Sequence, residues 1–96
     1  MNENLRLTIK IVLAKNFIGT DGKILAARGR QAVKGILCGQ GICRNDIAEA
    51  RKELHIRSEK IDEEYWWVWE NEQDPKTVWE RLNRAFWRQA DERKRD

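Results

Sequence analysis

Gly41-Ile42-Cys43-Arg44-Asn45-Asp46-Ile47-Ala48-Glu49-Ala50-Arg51-Lys52-Glu53-Leu54-His55-Ile56 is the stretch on which the fold turns. Ile47, Ala50 and Leu54 recur at spacings of three and four, which places them on one side of a helix opened by Asn45 or Cys43. Arg44, Asn45, Ala48, Glu49 and Lys52 are then left facing outward. Upstream, Ala32, Val33, Ile36 and Leu37 carry the same spacing from about Arg30 to Cys38, and Gly39-Gln40-Gly41 breaks it. Downstream, Ile56 to Ile61 and Tyr65 to Trp69 read as two strands separated by the acidic turn Asp62-Glu63-Glu64. Tyr65, Trp67 and Trp69 share one face of the second strand and are expected to cover the helical core, with Trp66 and Val68 on the other face. A helix, a glycine turn, a second helix and a ribbon, in that order over residues 30–69, describe a helix-turn-helix with a wing.

The flanks are read outward from that unit. Leu5 to Ile11 alternate apolar and polar residues, the period of a half-buried strand. Leu5, Ile9, Val12 and Leu13 also share one face of a helix, so residues 5–17 stay open between the two. Gly19-Thr20-Asp21-Gly22 predicts a reversal, a short hairpin between Phe17-Ile18 and Ile24-Leu25. Asp74 followed by Pro75 is an N-cap with proline at the first helical position, and a last helix should run to about Arg93. Its apolar face holds Val78, Trp79, Leu82, Ala85 and Phe86. That face completes the core if residues 5–17 are strand. If they are helix, it is surplus, and Val78, Trp79, Leu82, Phe86 and Trp87 become a dimer or docking contact. The expected division is a winged helix-turn-helix domain over 1–73 and a C-terminal amphipathic helix with a basic tail over 74–96, mainly α with a small antiparallel ribbon.

Composition bounds the function. Ninety-six residues with 41% hydrophobic content fit one small domain and exclude a large enzyme with a deep pocket of its own. The net charge of +3 hides an uneven distribution: residues 1–34 carry seven basic and two acidic groups, whereas residues 61–75 carry no basic and six acidic ones. No apolar stretch approaches the ~20 residues of a membrane span, and Met1-Asn2-Glu3-Asn4 lacks the basic start of a signal peptide. A cytoplasmic protein with no membrane partner is the expectation. Cys38, Cys43 and the single His55 leave a tetrahedral zinc site one ligand short, so both cysteines read as reduced, buried thiols and no metal or cofactor is expected. His55 has no nucleophile or carboxylate constellation around it, and the acidic run from Asp62 to Asp74 lacks the spacing of a cation loop, so no catalytic residue is assigned.

The run from Gly41 to Ile56, with Ser58-Glu59-Lys60-Ile61 and Trp67-Val68-Trp69, resembles the winged-helix module at the C-terminus of RepA-like replicative ATPases and primase-helicases of prophages and plasmids. The likeness covers about 30 residues and is carried by Ala50-Arg51-Lys52-Glu53-Leu54 together with the tryptophan strand. This chain has Cys43 where the family has a serine cap, His55 where it has glycine, and Asp62-Glu63-Glu64 in place of a glycine-rich wing. It contains no GxxxxGK[ST] motif, so the family's ATPase activity does not carry over. The resemblance implies a non-enzymatic DNA-binding module in replication or regulation of a phage, plasmid or other mobile element.

In a winged helix the second helix enters the major groove of double-stranded DNA with its N-terminal residues leading. Arg44 has the geometry for guanine and Asn45 for adenine, with Ala48 beside them, while Arg51 and Lys52 are better placed for phosphates. Arg30, Lys34 and Lys60 extend the basic face. The carboxylates of the wing oppose that use, because they would be repelled by a phosphate chain. The alternative is a protein docking or dimerisation module working through the last helix, with a second copy or a larger replication protein as partner.

Overall fold

The computed structural model describes residues 3–36, 39, 41–42 and 44–94, with side chains described from Asn4 to Gln89 within those ranges. Four helices and three strands follow in the order α1 (Glu3–Phe17), β1 (Lys23–Leu25), α2 (Ala26–Ile36), α3 (Arg44–Glu53), β2 (Ile56–Ile61), β3 (Glu64–Trp69) and α4 (Pro75–Lys94). The strands form one antiparallel sheet in the order β1-β3-β2. This is a winged helix-turn-helix with one helix added at the C-terminal end. Leu37, Cys38 and Cys43, the last two being the residues expected as buried thiols, lie outside the described residues.

Residues 5–17 are helix, and the reason they resemble a strand is their position. Leu7, Ile9, Val12, Leu13, Ala14 and Phe17 are all buried, and Leu5 and Ile11 pack against the same core. A helix enclosed by neighbours on several sides loses the narrow apolar stripe by which surface helices are recognised. α1 packs against α2 and α3 on one side and along α4 on the other. Its end is fixed locally, with the Thr20 hydroxyl donating to the Phe17 carbonyl at 2.7 Å.

The hairpin expected across residues 17–25 does not form. Phe17 closes α1, Gly19 and Gly22 take φ of 82° and 93°, and the turn delivers β1 to β3, where Ile24 pairs with Trp67. The Asp-Gly signal marks a helix-to-strand reversal. α2 begins at Ala26, directly from β1, several residues before the expected start. The wing turn is Asp62-Glu63 alone, because Glu64 already pairs with Ile61 in the ladder.

Trp67 is 2% exposed and packs beneath α2, where a Cβ built at Gly29 would stand 2.6 Å from Trp67 Cε3 and closer still to Cζ3. Only glycine lets the helix and the ring approach this far. Burying an indole of this size contributes of the order of 5 kcal/mol. Trp69 meets Phe17 at 5.3 Å between ring centroids and donates from Nε1 to the Gln73 carbonyl at 2.9 Å. Tyr65 does not share this work: it is 56% exposed, beyond the last turn of core.

α4 starts on its expected cap, with the Thr77 amide donating to Asp74 Oδ1 at 3.1 Å. It lies along α1, and Val78 and Leu82 enter the same core as Ile9 and Leu13. The surplus face anticipated for a helical 5–17 segment is therefore largely used inside the chain. Val78 and Leu82 have almost no surface left for a partner, Trp79 and Phe86 are half-buried, and only Trp87 stays open.

Candidate nucleic-acid interface

α3 is short, and its charges are arranged along its length and around its girth. Arg51 and Lys52 occupy its last turn and Asp46 its first, in keeping with the helix dipole. Arg44, the first residue, is a cation at the positive end, where it adds to the field of the free N–H groups instead of opposing it.

The two glutamates of α3 pair with cations of α1. Arg6 of α1 lies 3.8 Å from Glu49 and 3.5 Å from Glu53, and Lys10 lies 3.5 Å from Glu53. Exposed pairs of this kind add little stability, but they neutralise the carboxylates that would otherwise weaken the potential of the helix. Glu49, placed outward by the sequence, is thus tied back to α1. Among the described residues, Arg30, Lys34, Arg44, Arg51 and Lys52 make no ion pair.

Asn45, Ala48, Arg51 and Lys52 line a shallow groove on the outer side of α3 together with Ile56 and with Glu49, whose carboxylate is shared with Arg6. On the other side of the helix, Arg30 of α2 and Arg44 and Arg51 of α3 line a pocket of about 390 Å³ whose remaining wall includes Ser58, Tyr65 and Trp67 of the ribbon. Arg51 and Ala48 belong to both. The Arg51 guanidinium stands 5.0 Å from the centroid of the Trp67 ring and that of Arg30 5.9 Å from it, within the range of cation–π attraction. Burial first, and the charge of Arg30 second, hold the Arg51 pKa below its ordinary value, although arginine remains a cation at neutral pH. Arg51 Nε is sealed from solvent without a hydrogen-bond partner.

The other two expected contacts fall elsewhere. Lys34 is exposed on α2 one turn beyond Arg30 and is not among the residues that line the arginine pocket. Lys60 lies 5.9 Å from the centroid of the Tyr65 ring and 3.8 Å from Glu63, so the wing tip partly neutralises it. Asp62 and Glu63 project from that tip with φ of 50° and 70°. His55 is exposed at φ 58°, a left-handed position that favours glycine. Two residues escaped the sequence reading. Gly29 sets the depth of Trp67, and a lone glycine inside a helical pattern was its available signal. Ser58 lines the arginine pocket, and the sequence marks it only as part of the resembled motif, with no role of its own.

Among the described residues no three His, Cys, Asp or Glu side chains gather as a metal ion would require, and no helix is long and apolar enough to cross a membrane. Comparison with protein-family models, with curated proteins and with solved structures found no match for this chain in any of the three.

Proposed function

We propose that the chain is a non-enzymatic double-stranded DNA-binding module, working in replication or regulation of a mobile element such as a phage or plasmid. The observation that carries this reading is the charge arrangement on α3. Its glutamates pair with Arg6 and Lys10 of α1, so Glu49 is partly neutralised where it lines the outer groove. Among the described residues Arg44, Arg51 and Lys52 make no ion pair beside the outward Asn45. Asn45 and Ala48 face a base edge, Lys52 faces a phosphate, and the helix is presented by a fold whose second helix enters the major groove. Titration of a fluorescein-labelled mixed-sequence duplex at low salt tests it. Binding with Kd of about 10⁻⁴ M or tighter is expected, and no change in anisotropy across that range would sink the proposal.

A second reading is favoured by one feature. Ile36, Trp79, Phe86 and Trp87 line an apolar groove of about 290 Å³ between α1, α4 and the end of α2, and Ile36 and Trp87 are 65% and 58% exposed. Docking of a protein there, whether a second copy or a larger replication protein, is compatible with DNA binding on α3. A monomeric mass by light scattering at high concentration would count against the second copy.

A further inference from the structure

The pocket between α2, α3 and the ribbon is lined by three arginines and, among the described residues, by no carboxylate. Like charges gather at a protein surface only when something holds them. Here Trp67 holds two of them through its ring face, which leaves their mutual repulsion unrelieved. Covering an indole accounts for Arg30 and Arg51 alone. It does not account for Arg44, which lies against no described ring yet lines the same wall, at the N-terminus of a helix whose field favours an anion. Ser58 adds a hydroxyl, a donor that an anion accepts and a cation pair does not need.

We propose that Arg30, Arg44 and Arg51, with the Ser58 hydroxyl, form a seat for one phosphate group, and that in the DNA complex a backbone phosphate occupies it. The second half of the statement rests on the DNA-binding reading; the first half does not. A phosphate fits because guanidinium forks match its oxygens bidentately, and because an anion cancels the repulsion among the three cations. The pocket shares Arg51 and Ala48 with the outer groove of α3, so a strand lying along the helix passes its mouth. The seat thereby moves Arg44 from base reading to strand clamping and leaves the base edges to Asn45 and Ala48. It would lock the register of α3 on the duplex.

Pyrophosphate and a labelled duplex are the two probes, each titrated into the whole chain and into Arg30→Gln, Arg51→Gln and Arg44→Gln. Arginine Nε–Hε cross-peaks report the first and anisotropy the second. Arg44 is exposed and holds no ring, so its variant keeps the test valid if the other two fail to fold. The expected result is saturable pyrophosphate binding that shifts the three arginine peaks, weakened about tenfold in each folded variant, and a duplex salt slope that falls by about one in each. Pyrophosphate binding with that variant pattern but no duplex binding would leave the seat standing for a free phosphate compound and remove the DNA reading. Absence of saturable pyrophosphate binding, or binding that the variants leave unchanged, would overturn the seat. Duplex binding whose affinity and slope the variants leave unchanged would overturn its occupation by a backbone phosphate and leave the DNA reading intact.

Discussion

Arg51 lies with its guanidinium 5.0 Å from the centroid of the Trp67 ring, one residue from the half-buried flank of α3 and the other from the core. The pair joins a fully buried tryptophan to the candidate binding surface. Whatever sets the depth of Trp67 therefore also sets the position of a cation on the binding side.

Gly29 is the residue that sets this depth. Gly29→Ala forces either α2 or the ring to move, and should cost about 1–3 kcal/mol of stability by overpacking, seen as a lower Tm. Gly35, in the same helix with open space around it, is the control. Gly35→Ala should hold or raise the Tm.

The wing tip carries two charged residues in left-handed conformations, where Asn-Gly is the favoured pair. Replacing Asp62 with Asn and Glu63 with Gly together should raise stability by about 1 kcal/mol, measured by denaturant unfolding. The same change removes two carboxylates, frees Lys60 from Glu63, and should tighten duplex binding at low salt. Tighter binding without added stability would mean that the turn is not strained.

α4 depends on Asp74, whose carboxyl is held below its ordinary pKa first by the hydrogen bond from Thr77 and further by the field of Lys76. A depressed carboxylate stabilises the fold above its unfolded pKa of about 3.9, and that contribution disappears as pH falls through the lower folded value. Asp74→Asn keeps the cap without the titration. Its Tm should therefore fall less between pH 6 and pH 2.5 than that of the native chain, and identical falls would contradict the assignment.

Much of this architecture was legible in the chain. Ile47, Ala50 and Leu54 fixed α3, Asp74-Pro75 fixed the start of α4, and the alternation about Trp67 fixed β3 to within a residue. α1 was not legible, because a helix buried on several sides keeps no single stripe for periodicity to find. The β1 pairing was hidden for another reason: three residues carry almost no pattern, and the partner strand lies more than 40 positions away. Arg44, Asn45 and Lys52 could be named from helical geometry alone. The convergence of Arg30 with Arg44 and Arg51 required α2 and α3 to meet over Trp67 of β3, and no spacing in the chain encodes that.

Base reading and phosphate contact separate in variants of α3. Asn45→Ala should reduce the preference for a selected site over a random duplex by 1–3 kcal/mol while leaving random-duplex affinity nearly unchanged. Lys52→Ala should weaken both alike. Competition binding between the selected site and random duplex measures this, and equal loss in both variants would mean that α3 does not read bases.

The most direct test of DNA binding by α3 is the salt dependence of duplex affinity, compared between the native chain and Lys52→Ala. A linear fall of log K with log salt is expected, with the slope reduced by about 0.9 when the lysine is removed. A slope unchanged by the substitution, or an affinity that does not respond to salt, would contradict the central claim that α3 faces the DNA.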